Sequence, residues 1–248
     1  MSAHGLPAPK GGTLTGCLFD LDGVLVDTAK YHYLAWREIA GELGFAFTEK
    51  DNERLKGVSR MRSLDILLEI GGLSMDGGAK ARLAERKNAV YLQYVLKMRP
   101  NEVLPGAREF LADCRSRGLK VALVSASKNA TKILDLLGLT SLFDVIVDGN
   151  QVAEAKPDPE VFLTAARALG LHPRNCIVFE DAEAGIEGAI AAGMVSVGVG
   201  SSAILKKANI VVAGLRDLSV KALVETLEHL PDRHVPAATP TFNSAAKP

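Results

Sequence analysis

Six short apolar or β-branched runs alternate with helical patterns through most of this 248-residue chain, and each run ends in polar residues or glycine. The runs are Cys17–Asp20, Lys120–Ser125, Val145–Asp148, Cys176–Glu180, Val195–Gly198 and Ile210–Val212. The helical patterns that separate most of them are Gly106–Arg117, Asn129–Leu137, Pro159–Leu169 and Ala184–Ala192. Strands that alternate with helices in this way predict a parallel, doubly wound α/β sheet.

One long segment interrupts the alternation. Residues 29–99 show helical periodicity, almost no strand signal, and glycines that divide them into about four helices. We therefore predict a helical cap at 29–99, inserted into an α/β core formed by 13–28 and 100–231. The cap follows the first strand, so it should lie over the carboxyl edge of the sheet, where open α/β folds bind ligands. Residues 1–12 and 232–248 are Pro-rich and aperiodic, which predicts flexible tails.

Composition excludes several function classes. Lys plus Arg equal Asp plus Glu at 29 each, so no overall field attracts nucleic acid or an anionic membrane. Cys17, Cys114 and Cys176 are far apart and form no zinc or disulfide pattern. Because no signal-peptide or membrane-spanning run is apparent, we expect a cytoplasmic monomer whose partner is a small molecule.

Two carboxylates one residue apart close the first predicted strand. Alternate strand residues share a side, so Asp20 and Asp22 should face one site while Leu21 faces the core. Gly23 then allows the chain to turn away. Such a pair can bind a divalent metal and attack a phosphate, although by itself it could equally be a turn or a helix cap.

Three further strand ends carry polar groups toward the same edge. Ser125, Lys156 and the dipeptide Glu180–Asp181 follow later strands, and at a topological switch point they should meet Asp20 and Asp22. The four motifs in this order resemble the haloacid dehalogenase (HAD) superfamily of phosphotransferases. The resemblance implies a HAD-like, Rossmannoid parallel-sheet core with an inserted α-helical cap.

Within that superfamily, four stretches resemble the β-phosphoglucomutase family: Asp27–His32, Leu55–Arg60, Glu85–Asn88 and Ser125–Asn129. The similarity runs from about Gly16 to about Leu230. It implies exchange between β-glucose 1-phosphate and glucose 6-phosphate through β-glucose 1,6-bisphosphate. Two alternatives remain open, a sugar-phosphate phosphatase and a non-enzymatic switch that is phosphorylated on Asp20.

The residue types suggest a role for each carboxylate. We expect Asp20 to be the nucleophile that carries an aspartyl phosphate, and Asp22 to be the general acid and base. Mg²⁺ would neutralise the phosphate and be held by Asp20, the main-chain carbonyl of Asp22, Glu180 and Asp181. The last two could instead be an acidic pair at a helix N-terminus.

Ser125 and Lys156 should bind the transferring phosphate. Lysine is usually a solvated surface residue, and Lys156 is selected only because Pro157 follows it as in the family pattern. That X-Pro bond could be cis.

A mutase also needs a second phosphate site away from the metal. Arg60 from the cap and the helix start near Ser127–Asn129 are candidates, because guanidinium groups and helix N-termini bind phosphate. Gly57, Val58 and Ser59 should approach the sugar, and the resemblance implies that Thr28 and His32 couple cap closure to Asp22. His32 could otherwise be a surface histidine. The full predicted substrate-binding set is Lys56, Gly57, Val58, Ser59, Arg60, Lys87, Ser125, Ala126, Ser127, Lys128, Asn129 and Lys156.

Two features need separate mention. Ala182 stands where the family usually has serine, and Met61–Arg62 replaces an acidic pair, which should make the cap entrance more basic. A stripe of small residues at Gly185, Gly188 and Gly193 is interpreted as close packing onto the sheet.

Overall fold

A computed structural model describes residues 6–8, 12–55 and 58–229 of the chain. Its strands are β1 (Leu6–Ala8), β2 (Gly12–Leu14), β3 (Gly16–Phe19), β4 (Lys120–Val124), β5 (Val145–Val147), β6 (Cys176–Glu180), β7 (Val195–Val199) and β8 (Ile210–Val212). Its α-helices are α1 (Ala29–Glu42), α2 (Glu49–Glu53), α3 (Arg60–Gly71), α4 (Gly77–Val95), α5 (Ala107–Ser116), α6 (Ala130–Leu137), α7 (Glu160–Leu169), α8 (Glu183–Ala191) and α9 (Val220–Glu228).

Strands β3 to β8 form one parallel sheet in the order β5-β4-β3-β6-β7-β8. The six predicted strands and the parallel α/β class are therefore confirmed. The order reverses between β3 and β6, which pair in register with Phe19 opposite Phe179. That reversal is the switch point, so residues that follow β3 and β6 share one crevice.

Side chains of the central strands alternate between two apolar layers. Leu18 faces the layer that contains Phe162 of α7, whereas Cys17 and Phe19 face the layer built with Phe110 of α5. The Phe19 ring stacks on that of Phe179 at 4.5 Å between centroids, with Phe110 edge-on to both. This packing fixes the strand whose end carries Asp20.

Helices α1 to α4 make up the predicted cap region, and the described residues between 29 and 99 contain no strand. The cap has an apolar cluster of its own around Trp36, Ile39, Leu64 and Leu67, all fully buried. Other cap residues, Ala35, Val90 and Tyr91, belong to the cluster of the α/β core and so join the cap to it.

The N-terminal segment differs from the expectation of an aperiodic tail. Residues 6–8 pair antiparallel with Gly12–Leu14, Leu6 opposite Leu14, and this ribbon lies beside α9. Strands of three residues are too short for side-chain periodicity to signal them. The rest of 1–12 and the predicted tail 232–248 lie outside the described residues.

Candidate active site

The chain turns sharply directly after β3. Asp20 is buried, and its backbone N–H donates to the Phe179 carbonyl at 2.9 Å. Gly23 adopts a left-handed φ of +75°, and a Cβ there would lie 2.0 Å from Asp181 Oδ2. Glycine at 23 therefore both permits the turn and lets the loop close over the Asp181 carboxylate.

Lys156 connects two of the predicted carboxylates. Its Nζ donates to Asp20 Oδ1 at 2.6 Å, to Glu180 Oε1 at 2.5 Å and to the Val124 carbonyl at 3.2 Å. Burial by itself would lower the pKa of Lys156, but the charges of Asp20 and Glu180 outweigh it and the net pKa is raised. Lys156 is thus a fixed cation beside the nucleophile rather than a solvated surface lysine, and its bond to Pro157 is cis.

Three carboxylates lie close enough to hold one metal ion. Ligand oxygens of Asp20, Glu180 and Asp181 are within 4.8 Å of one another. Burial, followed by the charges of Asp20 and Glu180, raises the pKa of Asp181 to about 8. Three crowded carboxylates, whose negative charge Lys156 compensates only in part, offer the oxygen-only donors that fit a hard divalent cation. The Asp22 side chain is not in this group. Asp22 is predicted to bind the metal through its main-chain carbonyl, and that role stays a prediction.

Glu180 is already engaged on both carboxylate oxygens. Oε1 accepts from Lys156, and Oε2 accepts the Ala182 backbone N–H at 3.1 Å. Ala182 is the N-cap of α8 and supplies no side-chain cap. Glu180 therefore accepts from the backbone N–H of Ala182, the residue that stands where the family pattern has serine.

Asp22 has the environment of a general acid. Thr28 Oγ1 donates to Asp22 Oδ1, and Thr28 consequently makes no side-chain cap for α1. Removal from water and the nearby Asp20 charge raise the pKa of Asp22 to about 7, although Thr28 and Lys156 oppose the shift. A group with a pKa near neutrality can both give and take a proton at working pH.

Inside the cap, Lys87 and His32 form a close pair. Lys87 Nζ lies 2.7 Å from His32 Nδ1 and over the rings of Trp36 and Tyr91, at 4.7 and 4.8 Å from their centroids. Burial and the Arg60 charge lower the pKa of Lys87 to about 7. Burial and the charges of Lys87 and Arg60 lower the pKa of His32 well below its usual value, so the neutral imidazole accepts. His32 is therefore half-buried against Lys87 and Tyr91, not a solvated helix-surface histidine.

The predicted distal residues meet through an asparagine that the sequence prediction missed. Arg60 donates to Asn88 Oδ1 at 2.9 Å and to Glu85 Oε1 at 3.1 Å, and Asn129 Nδ2 donates to the same Asn88 oxygen at 3.0 Å. Asn88 thus joins the cap arginine to the core loop. Tyr91 was also missed, although its position four residues after Lys87 on α4 was an available signal.

The loop after β4 is held by its own hydroxyls. The Ser127 backbone N–H donates to Ser125 Oγ at 3.1 Å, and that of Asn129 donates to Ser127 Oγ at 3.2 Å. Ser125 is buried, Ser127 and Asn129 are half-buried, and Ala126 and Lys128 are exposed. The loop therefore presents a preformed start of α6 toward the cap.

The cap residues predicted to approach the sugar are described only in part. Val58 and Ser59 are exposed, and the Ser59 hydroxyl caps α3 by accepting from the Arg62 backbone N–H. Predicted residues Lys56 and Gly57 lie outside the described residues. Arg62 pairs with Glu69 at 3.3 Å, and Arg54 approaches the same carboxylate at 3.7 Å, so one glutamate offsets only part of their positive charge.

A family model for haloacid dehalogenase-like hydrolases matches residues 14–193. The chain belongs to this family. It is 43% identical to the β-phosphoglucomutase of Bacillus subtilis over 213 residues, which cover 85% of this chain and 94% of that one. A β-phosphoglucomutase structure from Clostridium difficile matches with a TM-score of 0.83 and 44% identity, over 87% of this chain and 97% of that chain.

A phosphatase is also among the relatives. The "phosphorylated carbohydrates phosphatase" of Thermotoga maritima is 36% identical over 181 residues, which cover 71% of this chain and 81% of that one. The chain is thus a HAD-family enzyme of the β-phosphoglucomutase type, with sugar-phosphate phosphatases among its homologues. That family indicates a divalent metal and excludes the non-enzymatic switch. In the described part of the chain, no helix is long and apolar enough to cross a membrane.

Proposed function

We propose that this protein is a Mg²⁺-dependent β-phosphoglucomutase that interconverts β-D-glucose 1-phosphate and D-glucose 6-phosphate through β-glucose 1,6-bisphosphate. The observation that carries the proposal is the Arg60–Asn88–Asn129 junction. It places a guanidinium and the start of α6 together, separate from the acidic group around Asp20. A bisphosphate needs two such anion sites, one at each end.

In the first half-reaction, an Asp20 oxygen attacks one phosphorus of the bisphosphate, and the bond from that phosphorus to the sugar oxygen breaks. This leaves the aspartyl phosphate and a sugar monophosphate. Asp22 gives its proton to the leaving sugar oxygen, and Thr28 orients the Asp22 carboxyl while it does so. Lys156 and Ser125 stabilise the transferring phosphoryl group. Mg²⁺ held by Asp20, Glu180 and Asp181 would neutralise charge on that group and lower the repulsion that the nucleophile meets.

In the second half-reaction, the other hydroxyl of a sugar phosphate attacks the aspartyl phosphate and Asp22 takes its proton. The phosphate already on that sugar would bind at the distal junction. The bisphosphate then turns round. The phosphate that the sugar carried from the start now reaches Asp20, and the newly transferred phosphate lies at Arg60. Each half-reaction leaves Asp22 ready for the opposite proton transfer.

The alternative is a HAD-type sugar-phosphate phosphatase, which the Thermotoga maritima relative favours. It would use the same Asp20 nucleophile, with water in place of the second sugar phosphate.

One assay decides between the two. Purified protein is incubated with β-glucose 1-phosphate, Mg²⁺ and a trace of β-glucose 1,6-bisphosphate, while glucose 6-phosphate and inorganic phosphate are followed together. We expect glucose 6-phosphate to be the main product. The same incubation with α-glucose 1-phosphate is the anomer control. Asp20→Asn should abolish both products, which excludes a contaminant. Mainly inorganic phosphate from the wild type would refute the mutase.

A further inference from the structure

Two segments connect the cap to the core, and they run side by side. The outgoing segment leads from Asp22 to the first turn of α1, and the returning segment is residues 99–104. Val26 and Val103 form an antiparallel bridge, and the Leu104 backbone N–H donates to the Leu25 carbonyl at 2.8 Å. The end of the returning segment is therefore fastened to the loop that carries Asp22.

Glu102 joins this returning segment to the cap. Its Oε2 accepts from Lys30 Nζ at 3.0 Å and from the Tyr31 hydroxyl, both in the first turn of α1. Its Oε1 accepts the Arg99 backbone N–H at 3.0 Å. The Tyr31 ring stacks on that of Tyr94 near the end of α4, so the same contact involves both ends of the cap.

The carboxylate is well suited to this position. Burial would raise the pKa of Glu102, but hydrogen bonds from Tyr31, Lys30 and the Arg99 backbone outweigh it and lower the pKa. Glu102 thus stays ionised at neutral pH and keeps charge-assisted hydrogen bonds to the cap. Its side chain is 21% exposed, so these bonds are partly shielded from water.

At the opposite side of the site, Asn88 of the cap contacts Asn129 of the core. The cap therefore contacts the core in two places. One is the Asn88–Asn129 contact, and the other is the pair of connecting segments, which we call the hinge. An aspartyl phosphate on Asp20 survives until the sugar attacks only if water is kept out, and a cap that opens too readily would admit water.

We propose that Glu102 is a positioning residue that holds the hinge in the closed arrangement and so favours phosphoryl transfer to sugar over transfer to water. This inference rests on the proposed mutase function. Glu102 touches no reacting atom, and it acts through Tyr31, Lys30 and the Val26–Val103 bridge. No local pattern signals this role, because Glu102 is more than seventy residues from Lys30 and Tyr31.

The test compares Glu102→Ala, Glu102→Gln and Tyr31→Phe with the wild type. The fraction of turnovers that ends as inorganic phosphate should rise about tenfold in Glu102→Ala, the order expected when charge-assisted hydrogen bonds are lost. Glu102→Gln keeps an oxygen for Tyr31, so it should rescue part of the effect. Tyr31→Phe alone removes one Glu102 contact, so it should cause a smaller rise. In the double variant with Glu102→Ala it should add little. The control is Glu187→Gln, which breaks an exposed pair with Lys207 far from the hinge and should leave the fraction unchanged.

Hydrogen exchange tests the hinge without any substrate. Amides in 29–33 and 99–104 should exchange faster in Glu102→Ala, while those in β4 should not change. Unchanged exchange at the hinge, or an equal rise in β4, would overturn the proposal. If the wild type is a mutase, an unchanged inorganic-phosphate fraction in Glu102→Ala would also overturn the proposal. A wild type that releases only inorganic phosphate would refute the mutase function, while the exchange data would still decide the role of Glu102.

Discussion

Arg60 offers the sharpest test of where the phosphate goes after it reaches Asp20. Replacing it with alanine removes a guanidinium that is 24% exposed and is held by Asn88 and Glu85. Hydrogen bonds that involve a charged group contribute about 1.5–3 kcal/mol each. Because Arg60 is partly exposed and its proposed phosphate contact would be shared with α6, we take about 3 kcal/mol for a bidentate contact. That corresponds to about a hundredfold in rate.

The loss should fall on one branch of the reaction. Transfer from Asp20 to a phosphorylated sugar should slow about a hundredfold in Arg60→Ala, because only this acceptor carries a second phosphate. Hydrolysis of the aspartyl phosphate should change much less. Arg60→Lys keeps the charge but loses the planar fork, so it should be intermediate, near tenfold.

The assay loads Asp20 with phosphate in a single turnover and then adds either buffer or glucose 6-phosphate. Arg86→Ala is the matched control, because Arg86 is also a cap arginine paired with a carboxylate, Glu42 at 2.8 Å, but 51% exposed on the cap surface. It should leave both branches unchanged. Equal slowing of both branches by Arg60→Ala, or an effect of Arg86→Ala of the same size, would refute a distal phosphate role for Arg60.

Four further variants, one of them a control, test other parts of the structure. Gly23→Ala and Gly44→Ala both force alanine into a positive φ, which costs about 1–2 kcal/mol, yet only position 23 lacks space, because its Cβ would meet Asp181. Both should lower stability in urea unfolding, but only Gly23→Ala should weaken metal binding; parallel behaviour would contradict the predicted metal site. Ala182→Ser should supply the missing N-cap of α8 and raise the free energy of unfolding by about 1 kcal/mol, whereas no gain would mean that the cap is already satisfied. Lys87→Met removes a lysine whose pKa falls from 10.5 to about 7 on folding, so between these pH values the unfolded wild type binds more protons and its stability rises with pH. Measured at pH about 7.5 and about 9.5, the wild type should gain about 2 kcal/mol relative to Lys87→Met, and a constant difference would show that Lys87 is charged in the fold.

Strand and helix positions could be read from the sequence because local chemistry determines them. Cys176–Glu180 is the observed β6 residue for residue, since a β-branched and aromatic run ends there in carboxylates. Predicted helix starts at Gly106, Asn129 and Pro159 lie one residue early, because these residues are the N-caps and belong to the same local pattern. The ribbon of β1 and β2 has no such pattern and was missed.

Topology predicted those site residues that follow strand ends, whereas Arg60, Lys87 and Asn129 were selected through the family resemblance. Asp20, Ser125 and Glu180 meet because parallel strands deliver their carboxyl ends to one edge, which topology alone requires. The contact of Arg60 with Asn129 through Asn88 depends on how the cap is placed over the core. Nothing local in the sequence of α4 specifies that placement, and for the same reason Glu102 could not be recognised.

The small-residue stripe packs closely, but only in part onto the sheet. Gly188 packs against α7 instead, with its Cβ position 2.8 Å from the Phe162 ring. A Cβ on Gly185, however, would lie 1.9 Å from Glu180 Oε1, the oxygen that accepts from Lys156. Gly185 therefore makes room for the carboxylate that fixes Lys156 beside Asp20. The absence of a side chain at Gly185 serves two ends. It lets α8 pack closely onto the sheet, and it leaves room for the charge arrangement at the nucleophile.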